Sequence, residues 1–164
     1  MVRKNNRDRI LVVDDEWDSP ILKTVIRTLE DEGWDTTVVK PTKLQDVGEE
    51  FESETLFAIE DVDPNGVLLD VRLGEYKDDQ FKGLEILQRI VEYYPQLPVL
   101  MFTQYTQGPE RETAVRGTLQ LDSHVDFIDK LASPQEVVLR LRRLIVRSPS
   151  QILIGDRIVL DVTA

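Results

Sequence analysis

The sequence has no cysteine, so disulfides, thiolate nucleophiles and Cys-ligated zinc are all excluded. It has a single histidine, His124, which removes His-cluster metal sites and leaves little room for a nucleophile–His–acid triad. No apolar run approaches the ~20 residues that a membrane-spanning helix needs. The opening residues, MVRKNNRDR, are polar and run straight into a short apolar stretch, unlike a secretory leader. Basic residues are scarce: 20 Lys+Arg stand against 31 Asp+Glu, a formal net charge of -11. That surplus of acid argues against this segment alone clamping a nucleic-acid backbone. What is present suits a folded domain, with 164 residues, 41% of them apolar, enough to bury a core without staples. The expectation is a cytoplasmic domain with no membrane contact and no nucleic-acid partner of its own.

Short apolar runs alternate with helical periods. Residues 10–13, ILVV, form a continuous β-branched run, as in a strand buried on both faces, and stop at Asp14-Asp15. Ser19-Pro20 starts a helix with a capping serine and a proline at its first position. Ile21, Leu22, Val25, Ile26 and Leu29 share one face of it, and Gly33 ends it. Residues 36–39 read as a second strand. Residues 46–63 hold eight acids and no base; Leu44, Val47 and Phe51 permit a helix that residues 56–59 continue. The turn DPNG at 63–66 leads to a third strand at 67–70, which again closes on an acid, Asp70. A charged loop spans 74–82, then a helix runs to Tyr94-Pro95. A fourth strand at 98–102 is followed by Thr103, a helix is expected over 110–119, and a fifth strand at 125–128 closes on Asp129-Lys130. SPQE at 133–136 is a capping box that opens the last helix. Ser148-Pro149-Ser150 is a linker signal, and residues 152–160 read as a hairpin around Gly155-Asp156. Five βα units in one chain predict an α/β fold: a doubly wound parallel sheet with helices on both faces.

In such sheets function gathers at the carboxyl ends of the strands. Here strand one ends in Asp14-Asp15, strand three in Asp70, strand four in Thr103 and strand five in Lys130. Any one of these, taken alone, reads more readily as a helix cap or a solvated loop residue. As a set they place three carboxylates, a hydroxyl and an amine on one rim. Three close carboxylates persist readily when a cation joins them, and hard oxygen ligands suit Mg²⁺. Metal, ammonium and hydroxyl together make half of a phosphoryl-transfer site. No glycine-rich nucleotide loop is present, so the phosphoryl group arrives on something else, and an aspartate is the natural nucleophile.

ILVVDDE at 10–16, VLLDVRL at 67–73, GLEIL at 83–87, VLMFT at 99–103 and DFIDK at 126–130 together resemble the receiver domain of two-component response regulators. The resemblance covers roughly residues 8–147. It implies a flavodoxin-like five-stranded sheet in the order 2-1-3-4-5, a receiver domain over 1–147, and residues 148–164 as linker and the start of an output domain. It also implies roles by position. Asp70 is the phosphoacceptor. Asp15 binds Mg²⁺ directly, Asp14 binds it through water, and the backbone carbonyl of Arg72 completes the protein ligands. Thr103 hydrogen-bonds the phosphoryl group and Lys130 pairs with one of its oxygens. Phe127, like Thr103, is a switch residue; an ordinary core phenylalanine is the plainer reading. No further cofactor is implied beyond Mg²⁺. The partners implied are a sensor histidine kinase and, through the face made by the 110–119 helix, the fifth strand and the last helix, another protein or a second copy in a homodimer. The protein is then a switch, not an enzyme beyond acting on its own phosphoryl group.

Four features depart from the family pattern. Lys130 is followed by Leu131 in place of proline, so a trans bond is open to it. Gln104 stands where a small residue is usual, Gly74 where a proline is usual, and the interval from Asp15 to Asp70 is long. They leave room for a pseudo-receiver, an interaction module not controlled by phosphorylation. An aspartyl phosphatase of the haloacid-dehalogenase type is the enzymatic rival, but Asp70-Val71-Arg72 lacks its second acid. The resemblance implies that the positions two after the phosphoacceptor and two after the switch threonine, here Arg72 and Tyr105, border the water approach to the acyl phosphate; both are large, which predicts a slowly hydrolysed switch. The tail at 152–160 resembles the opening strands of a winged-helix output domain.

Overall fold

The computed structural model describes residues 8–40, 47–70, 82–103, 124–147, 153–154 and 157–158. The expected helix over 110–119, residues 74–81 of the expected loop, Arg72, Gln104 and Tyr105 lie outside them. Five strands form one parallel sheet: β1 (Arg9–Val13), β2 (Asp35–Val38), β3 (Gly66–Leu69), β4 (Val99–Thr103) and β5 (Val125–Asp129). Their spatial order is β2-β1-β3-β4-β5, the doubly wound order that the resemblance implies. The helices are α1 (Pro20–Asp31), α2 (Val47–Val62), α3 (Lys82–Tyr93) and α4 (Pro134–Arg147). A two-stranded antiparallel pair, β6 (Leu153–Ile154) and β7 (Arg157–Ile158), forms the hairpin expected in the tail.

The sheet alternates its side chains between two cores, as a pleat must. Leu11, Val13, Val67, Leu69, Val99 and Met101 face Phe51 and Ile59 of α2 and Ile86, Leu87 and Ile90 of α3. Ile10, Val12, Leu68, Leu100 and Phe102 face Leu22, Val25 and Leu29 of α1 and Val137, Leu141 and Ile145 of α4. Each central strand is thus buried on both faces, which is why its sequence is a continuous apolar run. Ile21 departs from the expected α1 face: it is exposed, and Leu22, Val25 and Leu29 carry the burial.

Local chemistry sets the helix ends. The Ser19 side chain accepts from the Leu22 amide at 3.3 Å, and Pro20 occupies the first turn, where its missing N–H costs nothing. At the other end Gly33 has φ 91 and donates to the Glu30 carbonyl at 2.9 Å, while Trp34 donates to the Leu29 carbonyl at 3.1 Å. This is a Schellman ending, which requires a left-handed residue where glycine stands. The acidic stretch is a single helix, α2, whose Phe51, Thr55 and Ile59 face inward. After it Asp63 takes φ 52, and Arg9 secures the turn. The Arg9 guanidinium donates to the Asp63 carbonyl at 2.9 and 3.1 Å, and the Arg9 amide donates to Asn65 Oδ1 at 2.8 Å. Ser133 caps α4, accepting from the Glu136 amide at 3.2 Å.

Candidate functional site

The register of the sheet brings the acids together. Val13 of β1 pairs with Leu69 of β3, so the next residues on each strand, Asp14 and Asp70, emerge side by side. The Asp70 amide still donates to the Val13 carbonyl at 2.9 Å, which fixes the Asp70 backbone to the end of β1. Asp14 Oδ1 accepts from the Glu16 amide at 2.8 Å, a tight Asx turn that starts the β1–α1 loop. Asp14, Asp15 and Asp70 each present a carboxylate oxygen, and these atoms lie within 4.8 Å of one another.

Lys130 enters from the end of β5. Its Nζ is 2.8 Å from Asp14 Oδ2 and 3.6 Å from Asp70 Oδ1. Asp14 is 2% exposed, Asp70 5% and Lys130 6%, so these charges interact with little solvent screening. The peptide bond from Lys130 to Leu131 is trans, since no cis bond occurs among the described residues. The turn that delivers Lys130 is held by Asp129, whose Oδ1 accepts from the Leu131 amide at 2.7 Å. The Leu131 side chain points away from the core and is 83% exposed.

The electrostatics follow from burial. Desolvation pushes the Asp14 carboxyl above its ordinary pKa, opposed by the Lys130 charge and the Glu16 amide. For Lys130 burial works against the ammonium, but the charges of Asp70 and Asp14 prevail and hold its pKa above the usual lysine value. Among the described residues the Lys130 ammonium thus faces a cluster of three carboxylates. Asp14 Oδ2 is buried, with the Lys130 ammonium as its partner at 2.8 Å. Three carboxylates whose oxygens lie within 4.8 Å of one another form an oxygen-only donor set that can hold a hard divalent cation.

Of the residues expected here, Asp14, Asp15, Asp70 and Lys130 are brought to one rim. Thr103 closes β4, in register with Asp129 on β5. Phe127 pairs with Met101 across β4 and β5 and packs, half-buried, against the core under α2 and α3. His124 lies in the turn before β5, where its carbonyl accepts from the Val99 amide at 2.9 Å. Two arginines of α4 make ion pairs: Arg140 with Asp126 at 3.2 Å and Arg142 with Glu32 at 3.0 Å. Sequence reasoning missed Lys40, which stands just past β2 with its Nζ 4.1 Å from the centre of the Trp17 ring. The rule that selected the other strand ends would have selected it too, because it follows the last apolar residue of strand two.

Comparisons with known proteins agree with this geometry. No family model matches the chain. Over 160 residues it is 32% identical to a probable transcriptional regulatory protein, TcrX, of Mycobacterium tuberculosis, covering 93% of this chain and 58% of that protein. Over 140 residues it is 30% identical to a protein-glutamate methylesterase/protein-glutamine glutaminase of Trichodesmium erythraeum, covering 84% of this chain and 35% of that protein. The chain thus spans little more than half of one relative and about a third of the other. Among solved structures, the non-phosphorylated HemR receiver domain of Leptospira biflexa superposes with a TM-score of 0.60 at 27% identity, covering 85% of this chain and 94% of that one. The response regulator TrrA of Thermotoga maritima, solved with Mg²⁺ and beryllium fluoride, shares the fold with a TM-score of 0.61 at 20% identity, covering 84% of this chain and 98% of that one. Sheet order, rim chemistry and relatives converge on one answer: the chain belongs to the receiver-domain family of response regulators, with a role in two-component signalling.

Proposed function

We propose that the chain is a phosphorylation-dependent switch in which Asp70 accepts a phosphoryl group from a phosphohistidine of a sensor histidine kinase. The observation that carries this reading is the placement of Asp70: a buried carboxylate at a strand end, 3.6 Å from the Lys130 ammonium and beside two further acids. A carboxylate oxygen of Asp70 attacks phosphorus. The new P–O bond forms as the P–N bond breaks, and its electron pair returns to the imidazole nitrogen. Lys130 then transfers its attraction from the Asp70 carboxylate to a phosphoryl oxygen.

Asp14, Asp15 and Asp70, with the backbone carbonyl of Arg72, are the residues that would hold Mg²⁺. The ion, when bound, supplies positive charge that offsets the carboxylates and the phosphoryl oxygens. The Thr103 hydroxyl donates to the phosphoryl group. That new bond and the shift of Lys130 bias Phe127 and the last helix, and so alter a surface that meets another protein or a second copy.

The domain reading places the receiver in residues 1–147 and makes 148–164 a linker into an output domain. The name of TcrX, a transcriptional regulator, supports an output on DNA carried by residues beyond this segment. The methylesterase relative is matched over only 35% of its length, which supports a shared receiver and not a shared catalytic activity. The pseudo-receiver reading loses weight because Lys130, although followed by leucine, still lies between Asp14 and Asp70.

Intact mass after incubation with Mg²⁺ and acetyl phosphate tests the proposal. A switch gains one phosphoryl group that chelation of the metal prevents. An unchanged mass would favour the pseudo-receiver, and steady release of phosphate from phosphate esters would favour a phosphatase.

A further inference from the structure

We infer that Trp17 and Lys40 form a clamp that positions the metal-binding carboxylates of Asp14 and Asp15. The inference rests on the proposed Mg²⁺ site and adds two residues to it. The loop from Asp14 to Ser19 is secured at both ends: Asp14 Oδ1 accepts from the Glu16 amide, and Ser19 caps α1. Between them the Ser19 amide donates to the Glu16 carbonyl at 2.9 Å, closing a turn with Trp17 at its tip. The indole is the one large side chain on that tip. Lys40 sits on the neighbouring edge of the sheet, because the Val39 amide continues the β2 ladder by donating to the Val12 carbonyl at 2.9 Å.

The Lys40 ammonium lies 4.1 Å from the Trp17 ring centre, the shortest cation–ring contact among the described residues. Lys40 makes no ion pair among the described residues, so the ring is its recorded partner. The contact ties the loop carrying both acids to the end of β2. Carboxylates that close together repel, and the loop must resist splaying before a cation arrives. A tie across the tip keeps Asp15 near Asp14 and Asp70 in the metal-free protein, which lowers the ordering cost of binding.

The alternative role for Lys40, a nearby positive charge, predicts the opposite sign. A bystander ammonium repels Mg²⁺, so removing it would tighten binding. The clamp predicts weaker binding. An exposed cation–π contact has a strength that corresponds to roughly a two- to fivefold change in affinity.

The test is calorimetric titration of the whole chain with MgCl₂, using Trp17→Ala, Lys40→Met, the double variant and Lys40→Arg. The clamp predicts that each single variant binds Mg²⁺ roughly two- to fivefold more weakly, and that the double variant is no weaker than the weaker single. Lys40→Arg, which keeps a stacked cation, restores affinity. Lys40 is exposed, so the Lys40 series decides the matter even where Trp17→Ala fails to fold. Tighter binding by Lys40→Met, or effects that simply add, would overturn the clamp while leaving the metal site intact. Asp15→Asn separates the two readings: if Mg²⁺ binding survives it unchanged, the metal lies elsewhere and the proposed site fails, and the clamp with it.

Discussion

Replacing Lys130 with methionine removes the ammonium that lies against Asp14 and Asp70 while keeping most of the side-chain volume. Both acids are nearly inaccessible, so the variant takes a counter-charge away from two buried carboxylates. Breaking a buried pair from one side typically costs about 3–5 kcal/mol. Here the lower end, about 3 kcal/mol, is expected, because Asp14 has an escape through protonation. Burial already pushes its pKa up, and the variant removes the main force opposing that. A carboxyl whose folded-state pKa is raised takes up its proton before the unfolded chain does. Its charged form therefore destabilises the fold above the raised pKa, and stability returns as pH falls through that value towards 3.8. The deficit of Lys130→Met should be largest near neutral pH with chelator and smaller at about pH 5. Saturating Mg²⁺ should shrink it at neutral pH too, by replacing the lost charge. Urea unfolding followed by circular dichroism measures this, and roughly 6–12 °C of melting temperature should go with it. A deficit that is under about 1 kcal/mol and the same at both pH values and with metal would show that Lys130 is not the counter-charge of this site.

Other outcomes follow from particular contacts. Ser19→Ala should cost about 1 kcal/mol in chemical unfolding, since the Leu22 amide loses its acceptor. Asp63→Gly should raise stability by up to about 1 kcal/mol, because φ 52 is a conformation glycine adopts without strain; a loss would mean that the Asp63 side chain matters more than its backbone. Tyr94, whose hydroxyl donates to Glu60, has its pKa pushed up to about 12. Its stabilising contribution is fully present below 10.0 and lost as pH rises through about 12, so the absorbance titration missing from Tyr94→Phe should fall near that upper value and not near 10. If Asp70 is phosphorylated, Arg72→Ala with Tyr105→Ala should shorten the lifetime of the acyl phosphate, measured by phosphate release after the donor is removed.

Much of this architecture was legible because its strands are buried on both faces. Residues 10–13, 67–69 and 99–102 are apolar without alternation, and the first acid or hydroxyl of the sequence stands where each strand ends. The rim could be read from the same transitions, since Asp14, Asp15, Asp70 and Lys130 stand at such exits. The α2 helix was harder. Its inward face includes Thr55, fully buried with a hydroxyl that has no hydrogen-bond partner among the described residues, so the apolar period is interrupted in the middle. Ile21 fits the apolar face of α1 by spacing but lies exposed near its N-terminal end, while Leu22, Val25 and Leu29 enter the core. The Arg9 latch on the Asp63 turn and the Trp17–Lys40 contact join residues far apart in sequence. Neither has a local signature, because each depends on which strands become neighbours. That order came from the family resemblance and not from periodicity.

The central claim is that Asp70 is the phosphoryl acceptor and that the acids beside it make it one. Peptide mapping by tandem mass spectrometry, after Mg²⁺-dependent phosphorylation by acetyl phosphate, tests it most directly. The account predicts a single acid-stable, base-labile phosphoryl group on the peptide containing Asp70, absent from Asp70→Asn and lost with Asp15→Asn. A phosphoryl group on another residue, or one that persists in Asp70→Asn, would contradict it.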